Sequence, residues 1–215
     1  MSEKQADTTN WKHRTITLGL VLMGITTLGS SWCGFQSSLW DGVQTFHLMD
    51  SADFSRQANE KALLATEQRT LDASLFVEYA RDLSDGKMQL AEFFLDRMRP
   101  ELREAIKAWT TTQPVKNPNA PSTPFVMPQY HVKADDESAD FVSRAQASHD
   151  KAQKANMTGD SYTLLTVLYA TGLFLAGLVS TIDERRARLV TLLMGAVIAI
   201  IATVVLLRLP IAKLG

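Results

Sequence analysis

The fold is decided by residues 162–207, which read YTLLTVLYATGLFLAGLVSTI (162–182), DERRAR (183–188) and LVTLLMGAVIAIIATVVLL (189–207). Neither apolar run contains Asp, Glu, Lys, Arg or His. Each run approaches the roughly 20 residues that a helix needs to cross a bilayer. Because a helix satisfies its own backbone hydrogen bonds, helix is the form expected of such runs in lipid. We predict a transmembrane hairpin, with span two at 161–182, a short loop at 183–188 and span three at 189–209.

A third apolar stretch lies near the N-terminus. The basic residues 12–14 precede an apolar run that extends beyond Trp32 to about Leu39, and this pattern predicts span one at 15–40. A basic start, an apolar run and small residues are also typical of a cleaved signal peptide. The run continues past any plausible cleavage point, which favours an uncleaved anchor.

Span one differs from the other two because it carries many small and weakly polar residues. Read at alternating steps of four and three, these residues form two adjacent stripes on one side of the helix: Thr26, Ser30, Cys33 and Ser37, and Thr27, Ser31, Gly34 and Ser38. Small residues let helices approach closely in a membrane. The candidate helix-packing or oligomer-contact residues are Thr26, Ser30, Gly34 and Ser37. Three uses stay open: packing on another span, self-association, or the lining of a pore.

Basic residues near spans mark the cytoplasmic side of a membrane. The basic residues of segments 1–14 and 183–188 therefore place both segments in the cytoplasm, with residues 41–160 and the tail 210–215 outside. Arg208 and Lys213 count slightly against this arrangement. We predict a multi-pass protein of the cell membrane, the bacterial inner membrane, with a cytoplasmic N-terminus and an extracytoplasmic C-terminus.

The region between spans one and two is predicted to be helical. Residues 41–112 are rich in good helix formers, and there is no proline between Trp40 and Pro100. Asp85 and Gly86 are predicted to end the first helix. A buried face is predicted by the helical spacing of Leu64, Gln68, Leu71, Leu75 and Tyr79.

Two shorter helices are predicted to follow. The second begins near Lys87, and its expected buried residues are Leu90, Phe93, Phe94 and Met98. Pro100 suits the first turn of a third helix from Glu101 to Thr110. The expected buried residues of that helix are Leu102, Ile106 and Trp109.

A proline-rich loop at 111–132 is predicted to pack across these helices, because it also contains Phe125 and Tyr130. A last helix opens near Asp135 and continues towards span two. Its alanine-rich face is expected to pack on alanines of the first helix, and Gly159 is expected to kink the junction with the membrane. The fold class is therefore all-α: three transmembrane helices with an extracytoplasmic helical bundle inserted between the first and second spans.

The residue types that carry enzyme chemistry do not form a recognisable constellation. We find no phosphate-binding glycine loop, nucleophile elbow or zinc-protease helix, and we predict no catalytic residues, no cofactor and no metal. A net charge of −1 argues against a nucleic-acid partner, and a single cysteine excludes an intramolecular disulfide. The densest basic cluster, a candidate contact for an anion or a lipid headgroup, is Arg97, Arg99 and Arg103. Pairing with Glu101 and Glu104 is the competing interpretation.

Three short motifs give the chain a resemblance to a known family. They are Trp32-x-x-Phe35-Gln36-x-x-x-Trp40, then Arg97-x-Arg99-Pro100-Glu101 with Trp109 downstream, and Asn117-Pro118-x-Ala120-Pro121-x-x-Pro124-Phe125-x-Met127-Pro128-x-Tyr130. With these motifs the chain resembles a family of uncharacterised bacterial three-span membrane proteins with a large helical loop between spans one and two. The resemblance implies the three-span layout and carries over no activity.

The leading functional hypothesis is a non-enzymatic integral membrane protein. We expect it to self-assemble, or to bind a protein partner, through its extracytoplasmic domain and the small-residue face of span one. The expected partners are membrane lipids, further copies of the chain and a protein on the extracytoplasmic side. Two alternatives are an oligomeric ion channel lined by span one and an extracytoplasmic ligand sensor.

Overall fold

The computed structural model describes residues 2–213, with side chains from residue 11 onward. Helix is the only regular structure within these residues: α1 Ser2–Ser84, α2 Met88–Arg97, α3 Pro100–Thr111, α4 Lys133–Leu178 and α5 Arg185–Leu206, with a 3-10 turn at Pro124–Val126. The predicted all-α class is confirmed. Met1 and residues 214–215, which belong to the predicted terminal segments, lie outside the described residues.

Three helices are long and apolar enough to cross a membrane: α1, α4 and α5. α1 contains the whole of predicted span one, whereas α4 and α5 end at Leu178 and Leu206, before the predicted ends of spans two and three at residues 182 and 209. The three helices are consistent with a multi-pass membrane protein. α1 continues through Trp40 and Gly42 without a break, and α4 continues through Gly159. Spans one and two are therefore segments of much longer helices.

The chain divides into two compact units. The span unit comprises Met1–Met49 and Ser148–Gly215, and the insert unit comprises Asp50–Ala147. α1 and α4 contribute residues to both units, α5 belongs to the span unit, and α2 and α3 belong to the insert unit. Each unit is described by itself below.

The buried positions of the span unit recur mainly at alternating steps of three and four, with steps of seven in α1, and many of them carry small residues. This spacing averages 3.5 residues, the period at which helices pack side by side with a left-handed twist. The buried positions are Thr15, Gly19, Thr26, Cys33 and Gln36 on α1; Ser148, Ala152, Ala155, Gly159, Tyr162, Leu165, Tyr169, Gly172, Ala176 and Val179 on α4; and Arg188, Leu192, Gly195, Ala199 and Ala202 on α5.

Gly29 and Tyr169 show how close the helices come. A Cβ atom added at Gly29 would lie 2.7 Å from the Tyr169 ring, closer than real Cβ contacts. The ring is buried, and its hydroxyl lies 2.9 Å from the hydroxyl of Thr203 on α5. Position 29 therefore requires glycine for α1 to pack on α4.

The turn between spans two and three has the length of the predicted loop but lies four residues earlier, at 179–184. α4 ends at Leu178 and α5 begins at Arg185, so the arginines expected in the loop 183–188 lie in the first turn of α5. The guanidinium of Arg188 folds back and donates hydrogen bonds to the carbonyl oxygen of Ile182, one of them from Nε at 2.8 Å. Arg185 stacks over the Trp11 ring, 4.6 Å from its centroid.

In the insert unit, the predicted buried face of α1 is confirmed only in part, since Leu75 and Tyr79 are half-buried and pack against the hydrophobic cluster around Leu102. Leu64 and Leu71 are exposed, and the positions with the least exposure are Ala58, Ala65 and Asp72. The reason is the close approach of α4, which leaves room only for small side chains at the contact. Two serine hydroxyls bridge the helices there, with Ser51 donating to the carbonyl of Ala145 at 2.9 Å and Ser138 to that of Ala58 at 3.0 Å.

α2 also differs from expectation, whereas α3 agrees with it. On α2, Leu90 and Phe93 are exposed and Phe94 is half-buried, while Ala91 and Met98 are buried. On α3, Leu102 and Ile106 are buried and Trp109 is half-buried, as predicted. Pro100 opens α3 at its first position, and Gly86 has a φ of +75° after the end of α1. Both breaks were predicted from these residue types.

The proline-rich segment packs on the helices, as predicted. Phe125 makes edge-to-face contacts with Phe76 and Tyr130, at centroid distances of 5.6 and 5.1 Å. The indole Nε1 of Trp109 donates a hydrogen bond of 2.6 Å to the carbonyl oxygen of Pro121. These contacts close the hydrophobic cluster of Met98, Leu102 and Ile106.

Candidate functional site

A buried polar cluster of Asp72, Arg99 and Tyr130 lies in the insert unit. The Asp72 side chain is 1% exposed and receives Arg99 Nη2 at 2.5 Å and Nε at 3.2 Å, both at Oδ2. The Tyr130 hydroxyl donates to the same oxygen at 3.0 Å. The three residues come from α1, from the residue before α3 and from the proline-rich segment. The cluster therefore ties together three elements that are distant in sequence.

The electrostatics of the cluster keep both donors protonated. Hydrogen bonding to Asp72 is the main cause that raises the pKa of Arg99. Burial, with the Asp72 charge as the second cause, raises the pKa of Tyr130 to about 12. Arg99 is also 3.5 Å from Glu101. Because the carboxylate is occupied by two donors, the arrangement fits a structural clamp better than a general base.

We predict that Tyr130 makes stability fall at high pH. In the unfolded chain a tyrosine loses its proton near pH 10, whereas the folded value is about 12. Below about pH 10 the Tyr130 hydroxyl keeps its proton in both the folded and the unfolded state, so its full contribution to stability is present. Between about pH 10 and 12 the unfolded state loses this proton first, and the free energy of unfolding falls. Urea unfolding at pH 8 to 12 should show a steeper alkaline loss for the wild type than for Tyr130→Phe. Parallel curves would contradict the assignment.

The three arginines of the predicted basic cluster make different contacts. Arg99 is committed to Asp72, and the guanidinium of Arg97 lies 3.4 Å from the Phe93 ring centroid and donates to the Phe93 carbonyl at 3.0 Å. Arg103 is half-buried, and its backbone N–H bonds the Arg99 carbonyl. Of the predicted pairings, Glu101 contacts Arg99. The structure does not bring the three guanidinium groups together in a shared ion-pair network.

A groove lies in the insert unit between the end of α1, the end of α3 and the turn 113–116. Its volume is about 580 Å³, and its lining is mainly apolar. Phe76 and Trp109 meet there edge to face, with ring centroids 5.7 Å apart. Gln113 on its rim has a φ of +51°, a conformation that is uncommon for residues other than glycine. Sequence reasoning missed this groove because the turn that closes it has no periodic pattern.

The structure separates the four candidate residues of span one. Thr26 is fully buried and meets Gly172, whose added Cβ would lie 3.2 Å from the Thr26 methyl group. The Ser37 hydroxyl lies 2.9 Å from that of Thr163 and 3.3 Å from the carbonyl oxygen of Gly159. Ser30 is half-buried, and Gly34 is exposed with nothing within 4 Å of an added Cβ. The stripe of Thr26 and Ser37 thus packs against another helix of the same chain, and the stripe of Gly34 does not.

Polar side chains, to which the sequence pattern alone assigns no role, form hydrogen bonds with the segment after span three. Gln36 is buried; its Oε1 accepts from the Ala212 N–H at 2.9 Å, and its Nε2 donates to the Ala212 carbonyl at 3.5 Å. Trp40 Nε1 and the Tyr162 hydroxyl both donate to the Pro210 carbonyl, at 3.2 and 3.1 Å. An amide near the end of an otherwise uncharged span was the sequence signal for this contact.

Other polar residues of the insert unit form local pairs. His131 Nε2 lies 2.9 Å from Asp136, and Asp53 pairs with Arg56 at 2.9 Å. Among the described side chains, no group of three or more His, Cys, Asp or Glu is arranged to hold a metal ion.

Neither a protein-family model, nor a curated protein, nor a solved structure matches the chain. The resemblance to a three-span family is therefore neither supported nor contradicted, and it stays a prediction. Several residues of its motifs do have a shared role in this chain. Gln36, Trp40, Arg99, Trp109 and Tyr130 each make a hydrogen bond that fixes an irregular segment or a helix end.

Proposed function

We propose that this chain is a non-enzymatic integral membrane protein that self-assembles through the exposed stripe of span one. The main support for this proposal is that only part of the surface of span one packs against other helices of the chain. The stripe next to that contact presents small residues at the same alternating spacing: Gly24, Thr27, Ser31, Gly34 and Ser38, all exposed. Nothing lies within 4 Å of a Cβ added at Gly24 or Gly34.

Side-chain size supports this proposal. Many other exposed positions of the spans carry large apolar side chains, as expected of surfaces that face lipid: Leu18, Val21, Leu28, Leu164, Phe174, Leu193 and Ile200. A stripe of glycine and hydroxyl residues instead leaves a shallow depression along the surface of the helix. Helices in membranes associate through such small residues because their backbones can approach closely and gain van der Waals contact.

A second copy of the chain is the partner that this stripe fits best. The same stripe on two copies can pack on itself around a two-fold axis, which is the commonest symmetry of protein assemblies. In this proposal span one is shared between two contacts, one with α4 and α5 of its own chain and one with its copy. The channel alternative has weaker support, since Thr26 and Ser37 are used inside the chain.

The placement of the insert unit belongs to the same proposal. Basic residues at 12–14 and 185–188 favour a cytoplasmic position for both segments, which would put the insert unit on the extracytoplasmic side of a bacterial inner membrane. There it would be accessible to a protein partner or a soluble ligand.

The mass of the detergent-solubilised complex, with detergent accounted for, tests the proposal. The variant Ser31→Leu/Gly34→Leu should reduce an oligomer to a monomer. Ala170→Leu is the matched control, because Ala170 is an exposed small residue of span two outside the stripe. An unchanged mass in the stripe variant would overturn the proposal.

A second measurement avoids detergent. In a Cys33→Ala background, Thr27→Cys should form a disulfide-linked dimer in native membranes under mild oxidation, and Ala170→Cys should not. Equal cross-linking of both cysteines would indicate random collisions and would count against a defined interface.

A further inference from the structure

We propose that the groove between the ends of α1 and α3 binds a small soluble aromatic carboxylate. The site is built within the insert unit from residues 76–84 of α1, Trp109 and Thr110 of α3, and the turn 113–116. It is separate from the stripe of span one, so its ligand does not depend on the proposed self-assembly.

The size and lining of the groove select a small molecule with an aromatic body. Its volume of about 580 Å³ lies within the range of about 300–1,000 Å³ that is usual for small-molecule sites. Phe76 and Trp109 meet edge to face in the lining, and such pairs favour a further ring packed in an offset or edge-on manner. The Trp109 ring is fixed in place, because its Nε1 donates to the Pro121 carbonyl at 2.6 Å.

The charge of the lining selects an anion. Among the described residues that line the groove, Lys116 is the only charged one. A carboxylate on the ligand would match this charge, with the hydroxyl and amide groups of Ser84, Thr110 and Gln113 as additional polar lining. A cationic ligand would meet no acidic group in the lining.

The rim is formed before any ligand arrives. The Gln113 carbonyl accepts hydrogen bonds from the backbone N–H groups of Lys116 and Asn117, both at 2.9 Å, and the Gln113 N–H bonds the Thr110 carbonyl at 3.1 Å. These bonds hold Gln113 at its positive φ, a strained conformation of the kind that concentrates at ligand sites. The turn also presents Val115, which is 97% exposed and would be partly covered by a ring in the groove.

Calorimetric titration of the full-length protein in nanodiscs with naphthalene-1-acetate tests this site. We expect saturable binding that Lys116→Gln weakens at least five-fold. The uncharged analogue naphthalene-1-acetamide should bind the wild type at least five-fold more weakly than the carboxylate, and should bind Lys116→Gln no more weakly than it binds the wild type. Equal affinity of the wild type for the acetate and the amide would overturn the anion assignment.

A matched pair of variants locates the site. Ala80→Leu places a larger side chain in the groove at an exposed helical position, and should abolish binding with the circular dichroism spectrum unchanged. Ala73→Leu is also at an exposed position of α1, outside the groove, and should bind like the wild type. Binding that survives Ala80→Leu, that is lost equally in both variants, or that fails to saturate would overturn the proposal. Since neither residue lies in span one, these outcomes are distinguishable from a failure of self-assembly.

Discussion

Replacing Asp72 with alanine is expected to lower the free energy of unfolding by about 3 kcal/mol, the lower end of the usual cost of removing one partner of a buried ion pair. The substitution leaves Arg99 and the Tyr130 hydroxyl facing a site without an acceptor. The lower end of this range applies because the Arg99 side chain is 27% exposed and can reach water. Urea unfolding of the full chain in detergent, followed by circular dichroism, measures the loss.

Two comparisons identify the cause of that loss. Asp53→Ala removes an exposed carboxylate that pairs with Arg56 on the same helix, and should leave the free energy of unfolding nearly unchanged, because ion pairs at the surface contribute little. The double variant Asp72→Leu/Arg99→Met removes both charges, and should recover much of the stability lost in Asp72→Ala. A single variant as stable as the wild type would show that the cluster does not hold the insert unit together.

The second large effect is expected at Gly29. A methyl group at this position would be forced into the Tyr169 ring, whose hydroxyl is engaged with Thr203. Gly29→Ala is therefore expected to destabilise the span unit by about 1–3 kcal/mol, the usual cost of overpacking a core. Loss of helical signal on heating, or on titration with a denaturing detergent, measures the change.

Gly42 provides the matched control for this experiment. It also lies inside α1, but nothing is within 4 Å of its added Cβ. Gly42→Ala should be neutral or stabilising by up to about 1 kcal/mol, because alanine is the better helix former. Equal stability of the two variants would contradict the assignment of close packing between α1 and α4 at Gly29. Tyr169→Leu in the Gly29→Ala background should restore part of the loss by making room.

The spans and helix breaks could be predicted from the sequence because their signals are local. Two runs without any ionisable side chain admit few structures other than membrane helices. Gly86 and Pro100 end and begin helices through their own backbone preferences. The fold class follows from such local preferences, and no contact between distant residues is needed to obtain it.

The contact faces and the candidate sites depend on non-local geometry, which periodicity does not contain. The prediction for α1 followed the large apolar residues Leu64 and Leu71, whereas the close approach of α4 selects Ala58 and Ala65 by their size. Asp72 looks like a surface charge until Arg99, 27 residues away, and Tyr130, 58 residues away, are brought to it. The apolar groove likewise depends on how the turn 113–116 returns towards α1.

The bond between Gln36 and Ala212 has a consequence for biosynthesis. The two residues are 176 positions apart, so the ribosome makes the amide of span one long before its partner. In the proposed membrane protein, span one enters the bilayer with an amide that has no protein partner until span three has followed. The contact can therefore form only after Ala212 has been synthesised, so the tail closes the span unit at the end of translation and not during it.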